Sequence, residues 1–323
     1  MKIAVIFTGG TIGTVVKDGW MVSEGNTRYR LLENSGYSNE VEFVTYTPYT
    51  VLSENLTAKQ LNMLQKEVEG VLKTDCDGII ITHGTDTLQY SAVAVEYAFC
   101  NSKKPIVFVS AAYPLDDERT NGYSNFIGAV EFIKRKINGV FVSYRNCGQD
   151  ITNIHIPTRL LQHSECSGDL YCIGQPFAFL DGRSVTVNGG EASETKGLGI
   201  VEYTPNSHIL TVDSRPGDAF VYSLDGVSAV IIKPYHSATL NTESSELASF
   251  CRRARERNVP VLTVNVRPGV TYESVKAFEK LGIIPLPYST YISAYMKIWA
   301  AISLCENVTA FAKKEIAGEF AVN

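Results

Sequence analysis

The stretch Ile3-Ala4-Val5-Ile6-Phe7-Thr8-Gly9-Gly10-Thr11-Ile12-Gly13-Thr14 decides the fold. Four aliphatic residues run into an aromatic one, and the chain then breaks into glycine and threonine. A short apolar run bounded by glycine reads as a buried strand opening into a turn. The same grammar recurs at Ile79-Ile80-Ile81, which leads through Thr82 into His83-Gly84-Thr85-Asp86-Thr87. A hydroxyl held where a buried strand ends and a helix begins sits where α/β proteins place their chemistry. Two such threonines, one followed directly by a carboxylate, point to a threonine-nucleophile enzyme.

Outward from these turns, strand and helix patterns alternate. Residues 3–7 read as a strand, 17–26 as a mobile polar loop and 41–46 as a second strand. Thr57-Ala58-Lys59-Gln60 has the form of a capping box. Leu61, Leu64, Val68 and Leu72 follow it at helical spacing. Strands are expected at 78–82, 106–110 and 139–143, with helices at 88–99 and 124–137. Such alternation implies a parallel, doubly wound sheet. Residues 188–197 are small and polar and suggest a linker. Beyond it, strands are expected at 208–212, 229–232 and 261–264, and helices at 245–257, 272–281 and 292–304. The expected organisation is a catalytic domain over 1–187, a linker over 188–206 and a smaller α/β domain over 207–323.

Composition narrows the function. The chain has 323 residues and a net charge of −5. Mild acidity argues against nucleic acid or an anionic membrane as partner. No apolar run reaches the roughly 18 residues of a membrane span. The N-terminal run is too short for a signal peptide and continues into the glycine turn, so a cytoplasmic location is expected. The cysteines, Cys76, Cys100, Cys147, Cys166, Cys172, Cys251 and Cys305, are odd in number and irregular in spacing. Free thiols are therefore expected, not a disulfide framework or zinc ribbon.

Thr8-Gly9-Gly10-Thr11-Ile12-Gly13 falls short of a dinucleotide fingerprint, because Thr8 stands where the first glycine belongs. It also lacks the lysine of a phosphate-binding loop. Its glycines would let the backbone approach a ligand closely, and nearby N–H groups could receive a developing oxyanion. By itself, His83-Gly84-Thr85-Asp86-Thr87 could equally be a turn and helix cap. His83 reads as a packed or hydrogen-bonding residue. His155, His163 and Cys166 do not have zinc-site spacing, and no metal is expected. The acidic loop over 110–119 and the arginines at 252, 253, 255 and 257 read as solvated surface.

Taken together, these segments resemble the bacterial L-asparaginase family, nearest to its cytoplasmic type I members. The resemblance is strongest over about the first 140 residues. It implies a larger N-terminal domain with a flavodoxin-like parallel sheet and a smaller C-terminal α/β domain. It also implies a homodimer or homotetramer that uses no cofactor. By position, Thr11 resembles the family's nucleophile and Thr85 its second catalytic threonine. Asp86 resembles the carboxylate that pairs with the substrate's α-ammonium, and Ser53 the serine that grips its α-carboxylate. The implied reaction is hydrolysis of the side-chain amide of asparagine to aspartate and ammonia, through an acyl-threonine.

The chain departs from the family pattern at several positions. By spacing, Asn153 in Gly148-Gln149-Asp150-Ile151-Thr152-Asn153 falls where the family has a lysine. An amide carries no charge and titrates no proton, and losing a positioned acid–base group costs about 10²–10⁴-fold in rate. His155 is a shifted stand-in for that lysine, although a hydrogen-bonding role is the simpler reading. Trp20 stands near the expected flap tyrosine, with Tyr29 as a second candidate. Tyr235-His236-Ser237-Ala238-Thr239-Leu240-Asn241 replaces a loop rich in glycine and asparagine. Thr290-Tyr291-Ile292-Ser293-Ala294 replaces the element before the last long helix. Two readings follow: a slow or altered asparaginase-like amidohydrolase, or an asparaginase-fold protein that binds an amino acid without efficient turnover.

Overall fold

In the computed structural model, the strands of the first unit meet in the order that the two threonine turns imply. The structure describes residues 1–323 apart from 18–19, 24–26, 38, 165, 189–195, 206–207, 268, 270 and 321–323, and leaves the side chains of 14–28 undescribed. The expected linker at 188–197 lies largely outside the described residues. The chain divides into two compact units: Met1–Ile200 with Ile316–Gly318, and Val201–Glu315 with the remainder.

The first unit contains β1 (Lys2–Phe7), β2 (Thr14–Lys17), β3 (Trp20–Ser23), α1 (Thr27–Glu33), β4 (Glu42–Tyr46), α2 (Ala58–Leu72), β5 (Gly78–Thr82), α3 (Leu88–Phe99), β6 (Pro105–Val109), α4 (Gly122–Lys134) and β7 (Gly139–Tyr144). Strands β8 (Thr152–His155), β9 (Ala178–Asp181) and β10 (Ser184–Val187) complete it. The eight-stranded sheet runs β10-β9-β8-β7-β6-β5-β1-β4. Five of these strands, β4-β1-β5-β6-β7, are parallel. Counted along the chain, their order is the flavodoxin-like 2-1-3-4-5, which reverses direction between β1 and β5. The doubly wound expectation therefore holds.

Each parallel strand is apolar on both faces because helices cover both. Ile3, Val5 and Phe7 face a core shared with Phe126, Ala129, Val130 and Ile133 of α4. Ala4 and Ile6 face the opposite core, built with Leu64 and Val68 of α2 and with Leu88, Ala92 and Val95 of α3. Helix α2 opens on the expected capping box, with Thr57 and Gln60 exchanging side-chain and backbone hydrogen bonds.

Three features were not anticipated. β2 and β3 form an antiparallel hairpin within the segment read as a loop. α1 follows it. β8, β9 and β10 extend the sheet antiparallel to β7 and to one another.

The second unit holds β11 (Ile209–Asp213), β12 (Ala229–Lys233), α5 (Ser245–Glu256), β13 (Val261–Thr263), α6 (Ala277–Leu281), β14 (Ile283–Pro285), α7 (Tyr291–Ser303) and α8 (Val308–Ala312). Its four strands are parallel, in the order β11-β12-β13-β14. The residues expected as one helix over 272–281 form a 3-10 turn at Glu273–Lys276 followed by α6. Thr290 accepts from the Ser293 N–H and caps α7. All seven cysteines are free thiols. Among the described residues, no helix is long and apolar enough to cross a membrane.

Candidate active site

Both threonine turns leave the sheet at the β1/β5 reversal, the crevice where open α/β sheets receive ligands. After β1, Thr8 turns its hydroxyl inward and donates to Thr82 O at 2.7 Å. Gly9 and Gly10 then take φ values of +106° and +83°, in the region that favours glycine. Thr11 opens the 3-10 turn Thr11–Gly13. Val51 is tied to this turn from the other side: its N–H donates to Thr8 O at 3.1 Å, and its carbonyl accepts from Gly10 N at 3.2 Å. Gly13 N donates to Gly10 O at 2.9 Å. The N–H groups of Gly10 and Gly13 are thus spent within the fold and are not among those open to an oxyanion.

The two turns touch through glycine. A Cβ on Gly10 would lie 2.3 Å from both Cα and N of Gly84. A Cβ on Gly84 would lie 2.4 Å from Ser53 Oγ. Only bare backbone permits this approach, and it gathers Thr11, Thr85 and Ser53 around one contact. Ser53 is buried and donates to Asp86 Oδ2 at 3.3 Å, while Asp86 itself is exposed. Thr87 occupies the N-cap position of α3, but its hydroxyl donates to Ser53 O at 2.8 Å. It ties the serine's turn to the helix instead of capping it.

His83 is packed into the fold. It is 2% exposed, and its Nδ1 bonds Gly84 O at 2.9 Å. Burial pulls its pKa down to about 4, against the pull of that carbonyl.

A cavity of about 460 Å³ opens beside Thr85 and Asp86. Its remaining wall comes from Ala112 and Tyr113 after β6 and from Gln162, His163, Ser164, Cys166, Ser167 and Gly168. This second loop is clamped at its base. Asn146 and Leu170 exchange hydrogen bonds of 3.1 and 2.9 Å, Tyr144 donates to Gly168 O, and Leu161 N donates to Tyr171 O at 2.9 Å. Buried Asn121 and Asn125 brace the strand ends behind it. Asn121 accepts from Ala112 N at 2.8 Å and donates to Arg145 O at 2.7 Å. Asn125 donates to Ser110 O and accepts from Arg145 N, both at 2.7 Å.

The structure does not bring Asn153 to this cavity. It lies within β8, paired with Tyr144 and Phe179. His155 sits two residues on, opposite Val142, 2% exposed, with neither ring nitrogen hydrogen-bonded among the described residues. It does not line the cavity either. The polar side chains that do flank Thr85 and Asp86 are Gln162, which accepts from Tyr90 OH at 3.1 Å, and His163. Neither carried a motif signal, because both lie in a polar stretch with no periodicity. The acidic loop is surface as expected, with Asp117 paired to Arg119 at 2.7 Å, yet its first residues wall the cavity. Trp20 lies on β3 with its side chain outside the described residues. Tyr29, on α1, packs edge-on against Phe7 with ring centroids 6.1 Å apart. Among the described residues, no cluster of three or more His, Cys, Asp or Glu could hold a metal ion.

A doubly wound sheet with two threonine turns, a buried serine and a carboxylate at its reversal point defines a ligand-binding α/β protein of amidohydrolase type. Residues 2–161 match the family model described as "Asparaginase, N-terminal", and this part of the chain is an asparaginase-family domain. The whole chain superposes on the thermostable L-asparaginase from Thermococcus kodakarensis with a TM-score of 0.82 at 20% identity, covering 100% of both chains. It superposes on L-asparaginase I from Vibrio cholerae with a TM-score of 0.76 at 22% identity, covering 99% of both. At these identities the likeness establishes the fold. Among curated proteins it is similar to a glutamyl-tRNA(Gln) amidotransferase component of Methanobrevibacter smithii, 24% identical over 99% of this chain and 77% of that protein.

Proposed function

We propose that this protein hydrolyses the side-chain amide of a free amino acid, asparagine in the first instance, through an acyl-threonine formed on Thr11. The observation that carries this reading is the Gly10–Gly84 approach, which gathers Thr11, Thr85, Ser53 and, through Ser53, Asp86 around the sheet's reversal point. In the first half-reaction Thr11 Oγ1 bonds the amide carbon, the C–N bond breaks and ammonia leaves. Water then cleaves the ester and restores the threonine. Asp86 would pair with the substrate's α-ammonium, and Ser53 would donate to its α-carboxylate. The protein would act in the cytoplasm as a homodimer or homotetramer.

Ammonia release from asparagine and glutamine tests the reading. Thr11→Ala and Thr85→Ala are each expected to lower it by about 10²–10⁴-fold. Unchanged release in both variants would sink the assignment.

The similarity to an amidotransferase component supports a second reading, in which the ammonia is passed to a partner chain. It predicts slow release by the isolated chain and faster release in a complex. A third reading, binding without turnover, is supported by the uncharged Gln162 beside Thr85. Calorimetric binding of aspartate with no ammonia released over long incubation would select it.

A further inference from the structure

We propose that His163 is the general base of this site, taking the proton from the water that cleaves the acyl-threonine. The proposal rests on the amide-hydrolase reading above and adds a residue that neither the threonine motifs nor Asn153 supplies.

The ring's tautomer follows from its partners. His163 Nδ1 lies 3.0 Å from Asp169 O. A carbonyl only accepts, so Nδ1 carries the proton and donates. Nε2 is then left with its lone pair. That nitrogen is buried and has no hydrogen-bond partner among the described residues. An orphaned buried acceptor in a wall shared with Thr85 and Asp86 is poised for a donor that arrives with the reaction.

The ring is also held in place. It packs on Tyr144 with centroids 5.4 Å apart, and its loop is clamped by Asn146, Leu170 and the Tyr144 hydroxyl. Such support is what a proton-transfer group needs to keep its geometry. Burial keeps the imidazole neutral by lowering its pKa below 6.5, while the carboxylates of Asp86 and Asp169 pull the other way. A neutral, buried imidazole can accept a proton at physiological pH, which neither Gln162 nor Asn153 can do.

The step balances as follows. The water oxygen bonds the acyl carbon while one water proton passes to His163 Nε2. The ester C–O bond to Thr11 then breaks, and the imidazolium returns that proton to Thr11 Oγ1. The amino acid leaves as its free acid and ionises.

Rapid mixing of His163→Gln with asparagine tests this. The expected result is a burst of about one ammonia per chain, then a steady rate lowered by about 10²–10⁴-fold. Mass spectrometry should find an acyl adduct on Thr11, and added imidazole should raise the steady rate. The wild-type acid limb, below pH 6.5, should be absent from the variant. His163→Asn, which keeps a donor for Asp169 O, should behave alike and guards against a folding defect in the first variant. An unchanged steady rate would overturn the proposal, as would loss of the burst together with the steady rate. Thr11→Ala should show no burst at all. Failure of wild type itself to release ammonia would bring down the underlying reading and this proposal together.

Discussion

At the scale of single residues, Gly10 holds more of the site than either threonine does. Its φ of +83° and the 2.3 Å that would separate its Cβ from Gly84 are two separate objections to any side chain. Gly10→Ala should therefore cost about 1–3 kcal/mol from overpacking and about 1–2 kcal/mol from left-handed strain. It should also push the two turns apart and lower ammonia release. Gly13→Ala is the control, because a Cβ there meets nothing within 4 Å, and its unfolding midpoint should stay near wild type. Equal urea midpoints and rates for the two variants would refute the contact's importance. This part of the site was legible: glycine beside threonine after an apolar run is a local signal. Gln162 and His163 were not legible, because only the clamped loop after β8 carries them to Thr85. Spacing within a motif had pointed to Asn153, but spacing cannot locate a side chain once an unforeseen strand intervenes.

At the scale of elements, what the sequence displays is hydrophobic period. The buried parallel strands and α2, α3 and α4 stand out because both sheet faces are covered. The antiparallel strands β8, β9 and β10 have four residues each, too few for alternation to rise above noise. β2 and β3 hid in a polar stretch for the same reason. One element carries a feature that no period reveals. Lys297 on α7 is 1% exposed and pairs with fully buried Glu319 near the chain's end, while its ammonium also contacts Lys314 O and the Phe320 ring. Removing one partner leaves a buried charge, which typically costs about 3–5 kcal/mol. Glu319→Leu should show that loss in urea unfolding of the second unit, followed through Trp299. Lys297→Met with Glu319→Leu should recover most of it, since a packed apolar pair is often as stable. A double variant no better than the single one would refute this account.

At the scale of the whole molecule, the first unit carries an acid sensitivity in its core. His83 and His155 are each 2% exposed, and burial lowers both pKa values from 6.5 to about 4. Between those values the unfolded chain binds protons that the folded unit refuses. Stability is therefore complete above pH 6.5 and is lost as pH falls toward 4. Each histidine should remove about 1.4 kcal/mol per pH unit in that window, a large fraction of an ordinary domain's stability. His163 adds to the same trend through its own lowered pKa. Asp117 does not interfere, because its Arg119 partner holds its pKa near 2, so it changes charge only in stronger acid. The measurement is the urea midpoint of the first unit at pH 7.5, 5.5 and 4.5, with Trp299→Phe leaving Trp20 as the only indole. The midpoint should fall steadily below pH 6.5, and His155→Gln should make that fall shallower. His155 is the choice because it lies outside the cavity beside Thr85, so its replacement should leave ammonia release at pH 7.5 near wild type. An undiminished slope in His155→Gln would show that the buried imidazole does not carry the acid lability.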